Sequence, residues 1–282
     1  MPVPAQNQQY ENFIIRYKQN THGGFDYESD ENFQIVNDLF GILYVPMQKV
    51  PELELSSYSY SSIPRCYTYM DTGALSTSGV TGLHNHPYLK LQGKGTLVAV
   101  IDSGIDYLHP AFHNGVQSKI FSIWDQTLEG GADGRIPFGR EFGRQQIEQA
   151  LASENPWEIV PSSDTNGHGT RSAATAAGYR IEKDNFCGAA PEAEIVIVKL
   201  KQAKNYLRDF YLLPRDIDIF QEDDIMLAIS YVLFIAQEQQ MPLSICIGLG
   251  TSMGAHQGEG PLNEYINSIA AFTQNAVSVP AG

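Results

Sequence analysis

Apolar residues in this chain fall into short runs separated by polar and glycine-rich stretches. The character of the runs changes near residue 93. Over 96–101, TLVAVI is a continuous apolar run preceded by glycine, as expected of a strand buried on both faces of a parallel sheet. The runs 119–124 (KIFSIW), 193–200 (AEIVIVKL) and 242–248 (PLSICIG) predict further strands, and 276–279 (AVSV) predicts a last one. Between them the spacing turns helical. Ile147 and Leu151 are four apart in 142–153, and 170–178 is small and Ala-rich. In 222–239, Ile225, Ala228, Ile229, Leu233 and Ala236 share a face, and 262–272 predicts another helix. Glu222, Asp223 and Asp224 open the third of these helices, where acidic side chains favour the helix dipole. Strands alternating with helices predict an α/β fold with a mostly parallel sheet flanked by helices.

Before residue 93 the pattern differs. Residues 13–17 (FIIRY) and 66–70 (CYTYM) read as short strands, and 33–45 as two apolar pieces meeting around Gly41. Residues 51–57 start with Pro and read as the first turn of a short helix. Residues 1–72 therefore form a small α+β unit, near the lower size limit for independent folding. The stretch 71–82 (DTGALSTSGVTG) has loop composition and marks a boundary. This divides the chain into 1–72, a linker over 73–92, and a larger α/β part over 93–282.

Charge narrows the partners. Eighteen basic against 32 acidic residues leave a net charge of −14, which argues against nucleic acid and against an anionic membrane surface. The most apolar helical stretch, 225–236, is too short to span a bilayer. The first residues lack the basic and apolar regions of a signal peptide, which favours an intracellular or spore-associated location. Cys66, Cys187 and Cys246 are too few and too far apart for a disulfide framework or a metal-ligand pair. At least two of them are expected to be buried, unreactive thiols.

Two motifs carry chemistry. In VAVIDSGID (98–106) an apolar strand delivers Asp102 at its C-terminal end, before a glycine turn, where functional residues of open α/β sheets collect. Taken alone, Asp102 is equally the turn-capping Asp common after strands. In DTNGHGT (164–170), glycines flank His168 and let other segments approach the imidazole. Taken alone, this is equally a polar helix cap formed by Asn166 or Thr170.

Together the two motifs resemble the subtilisin-like serine proteases, in which the triad runs Asp, His, Ser along the chain. Residues 188–191 (GAAP) and 195–200 resemble that family's G-x-A-P turn and core strand. The resemblance implies a subtilisin-like sheet preceded by a small α+β prodomain. It makes Asp102 and His168 catalytic, with His168 as general base and Asp102 holding its tautomer. Ile247 and Gly248 then match the wall of the substrate cleft. A polypeptide is the implied substrate, and the prodomain is the implied intramolecular inhibitor, its autoprocessing site falling within 65–81. Segments 123–127 (IWDQT), 200–207 (LKQAKNYL), 221–226 (QEDDIM) and 245–256 (ICIGLGTSMGAH) resemble the clostridial Csp-type subtilases, which are linked to processing of a spore cortex-lytic enzyme in germination. One departure is Arg171-Ser172, where many members carry a second His after the Thr.

The nucleophile is the open point. GTSMGAH (250–256) looks like the family's serine motif, but Gly254 and His256 replace its Ala and Pro. Ser252 also follows His168 by only 84 positions, against roughly 150 in subtilisin. The strand at 276–279 runs into Pro280-Ala281-Gly282, matching the strand before the family's oxyanion-hole Asn. The resemblance therefore implies that this Asn and the serine lie outside these 282 residues, and that the chain by itself does not hydrolyse peptides. A subtilase fold kept for binding or regulation is the alternative. A Rossmann-type binding module is disfavoured because no G-x-G-x-x-G turn follows the strand at 96–101. No cofactor is expected. Structural calcium is compatible with the family, but no ligand set stands out, and Glu222–Asp224 read as a helix start with a solvated face rather than a metal site.

Overall fold

The structure, a computed structural model, describes residues 3–16, 32–50, 53, 58–69, 84, 88, 91–130, 134–254, 258–272 and 274–280. Apart from Leu53, the helix start expected at 51–57 lies outside the described residues, as does the loop at 71–82. Along the chain run strands β1 (Tyr10–Arg16), β2 (Phe33–Ile35), β3 (Phe40–Pro46), β4 (Cys66–Tyr69), β5 (Leu97–Asp102), β6 (Ile120–Asp125) and β7 (Arg140–Gly143). Helices α1 (Arg144–Leu151), α2 (Pro156–Ile159) and α3 (His168–Ala177) follow. Then come β8 (Glu194–Lys199), α4 (Asn205–Phe210), β9 (Phe220–Gln221), α5 (Glu222–Gln239), β10 (Leu243–Ile247), β11 (Leu249–Gly250), α6 (Pro261–Ala270) and β12 (Asn275–Ser278).

The central sheet has the order β12-β10-β5-β8-β6-β7. Its neighbours are parallel except for β7, which runs antiparallel to β6. The fold is thus mixed α/β with a mostly parallel sheet flanked by helices. Every residue of β5 is buried, because side chains alternate between two cores. Leu97, Ala99 and Ile101 face a core that holds Val196 and Val198 of β8 and the apolar residues of α5. Val98 and Val100 face the other, with Ile195, Ile197, Phe112 and Ala173 of α3. The continuous apolar runs in the sequence are two such stripes interleaved.

The N-terminal sheet, β1-β3-β2, is antiparallel throughout. Ile14, Phe40, Ile42 and Tyr44 from this sheet join the same core as α5 and β5. Helix α5 is therefore covered on two sides, by the central sheet and by the N-terminal sheet. That explains why 225–236 is so apolar without being a membrane span. Among the described residues, no helix is long and apolar enough to cross a membrane.

Two local expectations need correction. The break in 33–45 lies at Asn37, not Gly41. The Asn37 carboxamide oxygen accepts the amides of Leu39 and Phe40 at 2.8 Å each, closing the turn between β2 and β3. Gly41 sits inside β3 because a side chain there would run into the Phe33 ring. The helix expected from 142 starts at Arg144. Residues 140–143 instead form edge strand β7, with Phe142 opposite Ile123, so sheet pairing overrides the helical spacing.

Candidate active site

Asp102 ends β5 and is fully buried, and His168 is the first residue of α3. The His168 Nδ1 lies 2.8 Å from Asp102 Oδ1 and 3.0 Å from Oδ2. Gly167, at φ 79°, turns the chain into the helix, and Gly169 lies so close to the Gly104 carbonyl that a side chain there would collide with it. Gly248, just after β10, closes the other side. A Cβ on it would strike Asp102 Oδ2 and stand 3.1 Å from His168 Cε1. The glycines around His168 therefore permit close backbone approach.

A second carboxylate fixes the two motifs to each other. Asp164 Oδ1 accepts the Ser103 hydroxyl at 2.8 Å and the Gly167 amide at 3.0 Å. Its Oδ2 accepts the amide and hydroxyl of Thr170 at 2.8 and 2.7 Å. Ser103 Oγ in turn accepts the Gly169 amide at 2.9 Å, and the Ser103 amide donates to Asp102 Oδ1 at 2.7 Å. Burial alone pushes the Asp164 carboxyl up, but the hydrogen bonds from Thr170, Ser103 and Gly167 outweigh it and hold the group below its ordinary value. Asp164 belongs to the DTNGHGT motif, but the motif by itself assigns it no role. Nothing in the linear pattern shows that it bridges to Ser103.

Strand β4 lies antiparallel between β9 and β11. Cys66 and Tyr67 pair with Gln221 and Phe220, and Thr68 and Tyr69 pair with Gly250 and Leu249. Tyr69 at its end stacks on the His168 ring, with centroids 4.6 Å apart and planes at 29°. Its other side meets Phe220 edge-on at 5.4 Å. An extended piece of polypeptide thus lies directly over the Asp–His pair. The sequence located a strand at 66–70 but gave no sign of its partners, because β9 and β11 are only two residues long.

The Ile247 side chain is buried in the core, and Gly248 backs the Asp–His pair. The backbone that pairs with β4 is that of the next two residues, Leu249 and Gly250. Ser252 is exposed. Because β11 is antiparallel to β4, the step from Leu249 to Gly250 runs from Tyr69 back toward Thr68, away from His168. Ser252 lies two residues past the end of β11. Met253 accordingly packs at the far end of β4, against the cluster of Ile63 and Cys66.

Glu222, Asp223 and Asp224 open α5 as expected, but they are not solvated. All three are fully buried, because the N-terminal segment covers the helix start. Glu222 accepts the amides of Arg65 and Leu262 at 3.1 and 3.2 Å. Asp223 accepts the Asn12 carboxamide at 2.6 Å, and Asp224 pairs with Lys201 at 2.5 Å. Among the described residues, no three His, Cys, Asp or Glu side chains are grouped so as to hold a metal ion. All three cysteines are free, and burial pushes the thiols of Cys66 and Cys246 up to about 12 and about 11, away from the reactive thiolate.

Residues 93–211 match the sequence model of the subtilase family. The subtilisin-like protease SBT1.9 of Arabidopsis thaliana is 28% identical over 142 residues, covering 45% of this chain and 18% of the relative. The subtilisin-like protease SBT1.4 of the same plant is 30% identical over 125 residues, covering 38% and 16%. The chain thus spans less than a fifth of the length of these curated relatives. The solved structure of the CspB protease of Clostridium perfringens is similar over 72% of this chain and 38% of that one, with a TM-score of 0.59 and 28% identity. Sequence and fold similarity thus point the same way: residues 93–211 are similar to the subtilase family, and the larger part of the chain is similar in fold to a protease of that kind.

Proposed function

We propose that this chain contributes the Asp and His of an Asp-His-Ser triad in a serine endopeptidase, and that residues 1–72 are its prodomain and intramolecular inhibitor. The observation that carries the reading is β4, a polypeptide strand held antiparallel on both edges with Tyr69 against His168. That is how an extended substrate is gripped, by backbone hydrogen bonds on both edges with side chains sorted by alternation. The Asp102 carboxylate accepts Nδ1–H, which assigns the proton-accepting role to Nε2. His168 then takes the proton of a serine hydroxyl as it attacks the scissile carbonyl, and returns it to the leaving amine. Substrate backbone is held by Leu249–Gly250 on one edge and Phe220–Gln221 on the other.

The packing of Met253 against Ile63 and Cys66, at the end of β4 remote from Tyr69, supports a nucleophile other than Ser252, from outside these 282 residues. The chain alone is then expected to show no peptide hydrolysis and no labelling by a serine-reactive fluorophosphonate. Stoichiometric labelling at Ser252, located by peptide mass mapping, would sink this part of the reading. The autoprocessing bond falls within 65–81, of which 70–81 lies outside the described residues. N-terminal sequencing of the active full-length enzyme is expected to begin there, and an uncut N-terminus would reject the site.

A further inference from the structure

The loop after β11, which resembles a serine motif and yet points away from His168, has a different occupant. Arg65 immediately precedes β4 and extends its pairing by one residue: the Arg65 amide donates to Glu222 Oε2, and the Arg65 carbonyl accepts the Glu222 amide at 2.8 Å. Its long charged side chain is only 5% exposed. A Cβ on Gly254 would stand 2.7 Å from Arg65 Cζ and Nη1, and one on Gly260 would run into Nη2. The two glycines, at φ 93° and 128°, leave the space the guanidinium fills. The Glu222 carboxylate, which accepts the Arg65 amide, is raised above its ordinary value by burial, and the charge of Arg65 offsets this only in part. Among the described residues the Arg65 Nε has no acceptor, so this burial is a poor source of stability for an ordinary core. Such an arrangement favours selection of one side chain over others.

Strand alternation puts the observation in register. Arg65, Tyr67 and Tyr69 lie two apart and share one face of the extended segment. Tyr67 is buried beside Phe220 and Leu249, Tyr69 lies on His168, and between them Thr68 is exposed. We propose that the space left by Gly254 and Gly260, next to the Glu222 carboxylate that holds the strand backbone, is a binding site for an arginine side chain of the polypeptide substrate, four residues upstream of the residue that stacks on His168. The cleft thereby selects sequences of the form Arg-x-aromatic-x-aromatic, which the chain's own β4 segment mimics. This rests on the reading of β4 as a substrate-like strand.

Two measurements on the intact chain test it. Amide hydrogen exchange is expected to rise at least tenfold over 66–69 in Arg65→Ala, with β5 and β8 unchanged. In a Tyr67→Ala/Tyr69→Ala chain, whose tail has lost both aromatic anchors, the synthetic peptide acetyl-IPRCYTY-amide is expected to bind at least tenfold more tightly than the same peptide with citrulline for arginine. Equal binding of the two peptides would overturn the arginine site, even if Arg65→Ala opens the tail or unfolds the chain. Unchanged exchange in Arg65→Ala, together with opening in Tyr69→Ala, would overturn the site and leave the cleft reading standing. If Tyr69→Ala also leaves 66–69 closed and neither peptide binds, the cleft reading itself fails.

Discussion

Two buried polar networks hold this molecule, and they are built on opposite plans. Around His168, the carboxylates of Asp102 and Asp164 are satisfied almost wholly by neutral donors within two short motifs, 102–106 and 164–170. At the start of α5, acidic residues meet cations and amides drawn from three distant segments. Lys204 Nζ bonds the Pro4 and Tyr10 carbonyls and the Asn12 carboxamide, Asn12 also bonds Asp223, and Lys201 pairs with Asp224. The first network fixes a geometry. The second fixes one segment of chain onto another, and it contains charges that water would otherwise solvate. The first is therefore expected to tolerate changes of pH that the second does not.

The sharpest way to break the contrast is to remove one charge from the second network. Asp224→Ala leaves Lys201 buried without its partner, and it is expected to cost about 3–5 kcal/mol in denaturant unfolding. A loss under 1 kcal/mol would mean that the junction is not held by charge. A smaller effect is expected in the first network. Asp164→Ala removes the acceptor of four hydrogen bonds, at about 2–3 kcal/mol. Its mark is local: the Nδ1–H resonance of His168 is expected to shift or broaden, while the exchange of β1 and β3 amides stays as in the wild type.

The smallest effect concerns pH. Burial, and next to it the charge of Lys201, bring the Lys204 amine down to about 7, against the pull of Asp223, Asp224 and Glu11. The unfolded chain keeps this proton up to about pH 10.4. Between those values the unfolded state binds more protons, so the contribution of Lys204 to stability rises with pH and is lost as pH falls toward 7. The stability difference between wild type and Lys204→Met, followed from pH 7 to 9, is expected to move in favour of the wild type. A flat difference would mean that Lys204 stays protonated in the fold.

Legibility in the sequence follows the same division. Strands β5, β8 and β10 were readable because two-sided burial demands unbroken apolar residues, and Asp102 and His168 because each sits in a compact motif. The turn at Asn37, the strand β7 and the burial of Glu222–Asp224 were not readable. The last two depend on partners elsewhere along the chain, and an Asp on a helix start looks the same whether water or another segment covers it; the Asn37 turn is local, but its polar residue is masked by the apolar run around Gly41.

Sequence alone determined the alternation of strands and helices, the order of Asp before His, and the boundary of character near residue 93. These are local consequences of side-chain periodicity and of the backbone freedom of glycine. Only the tertiary structure decided that Tyr69 rests on His168, that the loop beyond Gly250 encloses Arg65, and that Lys204 reaches Pro4 and Asn12. Such contacts join residues 99 or more positions apart. They arise from the pairing of β4 with β9 and β11 and from the N-terminal segment covering the start of α5, and no local pattern encodes them.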